Sequence, residues 1–370
     1  MRGGAAMRMT RLSKQSLSIL ICLLTIGGKT QAQDTAKSES RDPAVDRDGT
    51  IHVPAFDMPI SSLLSPEARE SVRRHLLNPD PPPDPDIQKQ RAAIASRLQP
   101  LIDRQKILYP VDIADQLIAG VPTQVITPKQ PSDSIDRKRI LINLHGGGFS
   151  VCARVCGLIE SIPISYKSGM TVISVDYRQG PENKFPAASE DVSKVYSELL
   201  KQYSPRSIGI FGCSAGGALT AMSVAWFQAH NLPRPGAIGI LCASAGLWGG
   251  DSIYTGAVLD GRLPPKPGLT DMMSDLAYFS NASMKDPLVT PVVSDSVMSQ
   301  FPPTLIITAT RAFESSSAIY THEQLVRLGV DAELQVWDGL FHGFFYDPDI
   351  PESRQANDVT VKFFKKHLAE

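Results

Sequence analysis

From residue 121 onward the chain alternates between short apolar runs, rich in β-branched residues, and longer stretches with helical patterns. The short runs fall at 121–127, 139–145, 171–176, 206–211, 236–242, 304–310 and 332–337. Short, continuously apolar runs of this kind fit strands buried on both faces. Helical patterns separate most of them, notably at 188–203, 215–230 and 316–328, and an amphipathic helix is predicted at about 353–368. Strands that alternate with crossover helices predict an α/β fold, a mostly parallel sheet flanked by helices. No internal repeat is visible.

The chain ahead of the first clear strand reads differently. Residues 33–56 are polar and predicted to be loose. Helical patterns follow at 66–77, with Ser65 as N-cap and Pro66 at the first helical position, and at 86–107. Between them 78–85 reads Asn-Pro-Asp-Pro-Pro-Pro-Asp-Pro, a stiff extended linker. A second irregular stretch, 247–301, is too long for a plain loop in a compact domain. Its Pro-rich middle at 263–267 flanks a predicted helix at 271–279, and it is expected to join the N-terminal helices as a helical cap over the sheet. The expected organisation is a leader at 1–32, an N-terminal segment with cap helices at 33–120, and the main α/β domain at 121–370, of which 247–301 is the excursion.

Composition adds limits. The chain has 370 residues, 42% hydrophobic and 20% charged, which is ordinary globular composition with ample core. Residues 1–32 stand apart: Arg2, Arg8, Arg11 and Lys14 precede an apolar stretch at 17–26, and Thr30-Gln31-Ala32 offers a small-residue cleavage site. This is a secretory signal pattern, with an uncleaved N-terminal anchor as the alternative. Cys22 follows Ile21, where lipidation requires a small residue. The expected location is periplasmic or secreted, with no stable membrane span once the signal is gone. Its removal takes five basic residues and no acidic ones, leaving 32 basic against 38 acidic residues and a net charge of −6. That balance argues against nucleic acid or an anionic membrane surface as partner.

Four cysteines remain: Cys152, Cys156, Cys213 and Cys242. An oxidising compartment permits disulfides, but pairing cannot be read from the sequence. If Cys152 and Cys156 lie on one helix, the geometry is poor for a bond. No cluster has zinc-ligand spacing and no His-Glu-x-x-His helix is present, so neither metal nor cofactor is expected.

Three constellations with chemical potential fall at predicted strand ends. His145-Gly146-Gly147-Gly148-Phe149 follows the run at 140–144. Successive glycines let backbone N–H groups turn toward one point, as a developing oxyanion requires, although a plain tight turn has the same look. Gly212-Cys213-Ser214-Ala215-Gly216 follows another run and opens a helix, the pattern of a nucleophile elbow. His342 lies in the loop after the last predicted strand, within Trp337-Asp338-Gly339-Leu340-Phe341-His342-Gly343-Phe344. His145 reads as a brace for the glycine turn. Ser244, in Cys242-Ala243-Ser244-Ala245-Gly246, copies the elbow without its first glycine and reads as structural. His52, His75, His230, His322 and His367 occupy helical or polar stretches and are expected at the surface.

With these motifs in place the chain resembles the bacterial hormone-sensitive-lipase-like carboxylesterases, a branch of the α/β-hydrolases, over about 121–350. The likeness rests on the glycine turn, Asp176-Tyr177-Arg178 with Pro181-Glu182 and Phe185-Pro186-Ala187-Ala188, the elbow with Gly217, Asp286-Pro287-Leu288, and Val336-Trp337 with Gly339 and His342-Gly343-Phe344. It implies that Ser214 is the nucleophile and His342 the general base. It also implies an oxyanion hole from the N–H groups of Gly147, Gly148 and Ala215, and a small-molecule ester as substrate. Asp286 and Asp338 are implied to lie outside the triad.

The chain departs from that family at two places. The resemblance implies a triad acid at position 312, which here is Ala312. Glu314, two residues on with one more methylene of reach, is the candidate replacement; a solvated glutamate on the first turn of the next helix is the alternative. Cys213 stands where the family commonly has Asp, which removes a carboxylate beside the nucleophile. Three functions follow: a serine carboxylesterase for small to medium esters, a ligand-binding pseudoenzyme with an impaired triad, or an amidase or peptidase on the same machinery.

Overall fold

The computed structural model describes residues 42–79, 81, 83–129 and 134–369. The leader expected over 1–32 lies outside the described residues. The chain divides into two units, Met1–Met58 and Pro59–Glu370. In the first, two-residue strands β1 (Ala44–Val45) and β2 (Ile51–His52) pair antiparallel.

The second unit opens with α1 (Pro66–Leu77) and α2 (Ile87–Leu108). Both start on side-chain caps: Ser65 Oγ accepts the Ala68 N–H, and Asp86 accepts those of Gln88 and Lys89. Next come β3 (Val111–Ile118), β4 (Val121–Pro128), β5 (Asp136–Leu144), α3 (Val155–Ser168), β6 (Met170–Val175) and α4 (Ala187–Leu199). The chain continues through β7 (Ile208–Cys213), α5 (Ala215–Ala229), β8 (Ala237–Leu241), α6 (Ser252–Leu259) and the short α7 (Asp295–Met298). It ends with β9 (Thr304–Ala309), α8 (Ser315–Arg327), β10 (Ala332–Trp337) and α9 (Pro351–His367).

Eight strands form one sheet in the order β10-β9-β8-β7-β5-β6-β4-β3. The pairs from β10 to β6 are parallel, and β6–β4 and β4–β3 are antiparallel. Alternate residues of a strand face opposite sides, so the buried runs feed two cores. Ile140, Ile142, Leu144, Ile208, Ile210 and Ile306 lie in one, and Leu141, Phe211, Leu305 and Ile307 in the other. The α/β-hydrolase architecture expected from the sequence is thereby present.

Two local expectations need correction, and the open cysteine pairing is answered. The sheet begins with β3, before position 121. β3 is an edge strand whose exposed positions carry Asp112, Asp115 and Gln116, so it lacks the apolar run that marks the inner strands. It turns into β4 through Ala119-Gly120, both at positive φ, as a two-residue hairpin requires. The helix expected at 271–279 is instead two single 3-10 turns, Met273–Asp275 and Ala277–Phe279, with Leu276 extended between them. Finally, Cys152 and Cys156 are disulfide-bonded. Cys152 precedes α3 and has a φ of 76°, so the pair escapes helical geometry and its Cα atoms lie 5.3 Å apart.

The N-terminal helices meet both the catalytic loops and the excursion. His75 of α1 contacts Asp260 at the end of α6 and packs at a tilt against Phe341, ring centroids 4.8 Å apart. Arg91 of α2 donates to the Ser150 and Gly180 carbonyls and pairs with Glu182.

Candidate active site

Strand register assembles the site. β5 and β7 are parallel neighbours with Leu144 opposite Gly212, so the glycine turn and the elbow leave the sheet side by side at its C-terminal edge. Strand order reverses around β5, and the crevice at such a switch point is where α/β sheets bind ligands. A Cβ on Gly212 would stand 2.2 Å from the Leu144 carbonyl oxygen, and one on Gly216 only 1.7 Å from it. The two glycines are what let the elbow press against β5. Ser214 sits between them at φ 58°, ψ −123°, a backbone that L-residues rarely adopt, and caps α5. Its N–H donates to the Leu241 carbonyl at 2.8 Å.

His342 and Glu314 come together on the other side. The imidazole Nδ1 donates to Glu314 Oε2 at 2.8 Å. Glu314 is fully buried, and its Oε1 accepts a hydrogen bond of 3.0 Å from Thr308. The solvated-glutamate alternative therefore fails. Ala312 cannot substitute: it sits in a tight turn, its N–H on the Ala309 carbonyl, with Gly256 of α6 packed against the 312–313 backbone. The carboxylate thus enters from position 314, where the chain turns into α8. A carboxylate on Nδ1 selects the neutral tautomer whose lone pair is on Nε2. The His342 loop docks on the strand next to the elbow, the Gly343 N–H donating to Cys242 Sγ at 3.3 Å. Among the described residues no hydrogen bond joins Ser214 to His342; in substrate-free sites such contacts are often long.

The glycine turn is braced from several directions. Gly147 and Gly148 have φ of 110° and 58°, and a Cβ on Gly148 would meet open space. Ala215, at the first position of α5, puts a helix N-terminus beside them. His145 is wholly buried, donates from Nδ1 to the Gly146 carbonyl and stacks on Tyr177. Burial lowers its pKa to about 4, which keeps the ring neutral and fits a brace. The Cys152–Cys156 disulfide lies against Gly147, whose Cβ would come within 2.6 Å of the Cys152 Cβ.

Sequence reasoning missed Glu160 of α3. This buried carboxylate accepts from Gly146 N–H at 3.0 Å and Tyr346 O–H at 2.6 Å through Oε1, and from Asn143 at 2.8 Å and Cys213 N–H at 3.2 Å through Oε2. Burial raises its pKa to about 7 against the pull of those four donors. The signal was a single acidic residue inside the otherwise uncharged first three turns of α3. Glu160 also answers the departure at Cys213: the elbow has a carboxylate partner after all, supplied by another helix.

The remaining expectations sort plainly. The Cys213 and Cys242 thiols are buried and pushed up in pKa by burial, so neither is a ready nucleophile. Ser244 is buried and donates to the Leu247 carbonyl. Asp338 accepts from Thr310 and Ser61, and Asp286 caps the Leu288 N–H. His367 is a correction: its ring is only 9% exposed and packs on Phe363. Cys242, Glu314 and His342 offer three ligand atoms within 4.8 Å. Two of these groups are hydrogen-bonded to each other, and the third is a protonated thiol, a poor set for a metal.

Comparison with known proteins agrees with this geometry. The family profile of the alpha/beta hydrolase fold matches residues 141–346. The chain belongs to that family. Its solved neighbours are esterases, one of them described as a member of the bacterial hormone-sensitive lipase family. Esterase E25 has 29% identity and a TM-score of 0.73, covering 86% of this chain and 99% of that one. An esterase of the bacterial hormone-sensitive lipase family has 25% identity and a TM-score of 0.69, covering 82% and 99%. An acetyl-hydrolase of Streptomyces hygroscopicus is 26% identical over 234 residues, which is 63% of this chain and 77% of the relative. The chain is a carboxylic ester hydrolase.

Proposed function

We propose that the chain is a serine carboxylesterase acting on small to medium esters through an acyl-enzyme on Ser214. His342 takes the Ser214 proton as the hydroxyl oxygen attacks the ester carbonyl, and buried Glu314 favours the imidazolium that forms. The tetrahedral oxyanion is received by the N–H groups of Gly147, Gly148 and Ala215, helped by the N-terminus of α5. The tetrahedral species collapses as His342 protonates the departing alcohol, and water repeats the cycle on the acyl group. The signal pattern at 1–32 supports action in the periplasm or outside the cell.

The observation that carries this reading is the 2.8 Å contact between His342 Nδ1 and a fully buried Glu314. Ala312 is the motive for a pseudoenzyme, and a carboxylate arriving from position 314 removes it. The test is labelling with a fluorophosphonate probe together with hydrolysis of p-nitrophenyl acetate. Wild-type protein is expected to be labelled at Ser214 and to turn over; Ser214→Ala and His342→Ala are expected to lose turnover while keeping the wild-type melting curve. Full activity in either folded variant would overturn the assignment.

A further inference from the structure

Two chain segments must stand at a set separation for the oxyanion hole to work. One is the glycine turn, which carries the N–H groups of Gly147 and Gly148. The other is the elbow, which carries Ser214 and the N–H of Ala215. They belong to different strands, β5 and β7, and beyond the last register pair, Leu144 with Gly212, the ladder no longer ties them. Glu160 bridges this gap. One of its oxygens holds the N–H of Gly146, immediately before Gly147, and the other holds the N–H of Cys213, immediately before Ser214.

We propose that Glu160 is a positioning residue that sets the spacing between the two arms of the oxyanion hole and so controls turnover rather than substrate binding. The proposal rests on the esterase reading above. All four hydrogen-bond partners of Glu160 are donors: two backbone N–H groups, the Asn143 amide and the Tyr346 hydroxyl. Only a carboxylate accepts all four. Asn143 is itself fixed, its Oδ1 accepting from Ser174 at 3.0 Å, so it cannot turn its oxygen to Glu160 without losing that bond.

Glutamine therefore cannot copy the brace. An Nε2 in place of Oε1 would face the Gly146 N–H, and in place of Oε2 it would face the Cys213 N–H. Either way one arm of the hole loses its tether. The titratable groups around the carboxylate are Tyr346, Cys213, Cys242 and Tyr177, each held neutral by burial. Of these, Tyr346 is the hydroxyl on Oε1, and its bond favours the ionised form of Glu160. Removing that hydroxyl raises the pH at which the brace forms.

The test compares Glu160→Gln and Tyr346→Phe with wild type in p-nitrophenyl acetate hydrolysis, fluorophosphonate labelling and thermal melting. For folded Glu160→Gln, kcat is expected to fall about 10- to 100-fold, with KM within about threefold, because small misplacements of catalytic groups cost rate on this scale. A kcat within about threefold of wild type, or a loss confined to KM, would overturn the proposal. For Tyr346→Phe, the acid limb of the kcat profile is expected to move to higher pH, which a purely structural loss would not produce. If Glu160→Gln does not fold, this profile decides alone: an upward shift supports the brace, and a curve superimposable on wild type removes it. Failure of the wild-type protein itself to label or turn over would instead remove the esterase reading and this inference together.

Discussion

Single residues decide whether this chemistry runs. Glu314→Gln keeps the size of the side chain but weakens its hold on the His342 imidazolium. Since loss of the acid in a serine triad costs up to about 10⁴ in turnover, a fall of at least 100-fold in kcat is expected, and one below about tenfold would exclude Glu314. Gly216 is a steric case: with Leu144 O only 1.7 Å from its virtual Cβ, Gly216→Ala forces the elbow off β5. It is expected to abolish activity and lower the melting temperature, read by kinetics and circular dichroism. Glu160 also couples folding to pH. Its folded pKa, about 7, lies above the ordinary 4.5, so folding favours its neutral form. Its stabilising contribution is full below about pH 4.5 and is lost as pH rises through about 7. Melting temperatures of Glu160→Gln measured from about pH 5 to 8 should accordingly show a flatter pH dependence than wild type.

At the scale of elements, the sheet places two loops side by side and the flanking pieces hold them there. α3 supplies Glu160 and one half of the Cys152–Cys156 disulfide, so one helix restrains the glycine turn twice. The disulfide closes a very short loop, for which chain-entropy arguments give a contribution of about 2 kcal/mol. Reduction with a phosphine is expected to lower the melting temperature by about 3 °C, given an unfolding entropy of about 2.1 cal/mol/K per residue over a unit of this size. Calorimetry with and without reductant checks this, and an unchanged melting temperature would show the bond to be thermally silent. α6 acts by exclusion: its Gly256 packs against the 312–313 backbone, leaving position 314 as the entry for the carboxylate.

At the scale of the whole molecule, the described second unit, Pro59–Glu370, contains every residue assigned to the site. A chain that begins at Pro59 is expected to keep its kcat and to melt within about 3 °C of the full chain, since both core clusters and every residue assigned to the site lie in the second unit. A large loss of either would mean that the first unit supports the second. Helices α1 and α2 belong with the catalytic unit, through His75 on Phe341 and Arg91 on the 149–150 turn region. Among the described residues no helix is long and apolar enough to cross a membrane.

The sequence by itself determined the layer architecture, because buried parallel strands must be apolar throughout and the helices between them must have a core-facing side. It also placed Ser214, His342 and the glycine turn, since each sits within a few residues of a strand end and local glycines mark the bends. Edge strand β3 stayed hidden because half-exposed polar strands carry no such mark. Tertiary structure decided which carboxylate reaches His342, that Cys152 and Cys156 pair, and that Glu160 joins the glycine turn to the elbow. Those three are contacts between segments that periodicity and motif spacing leave independent, and only the packed fold sets the distances on which hydrogen bonds depend.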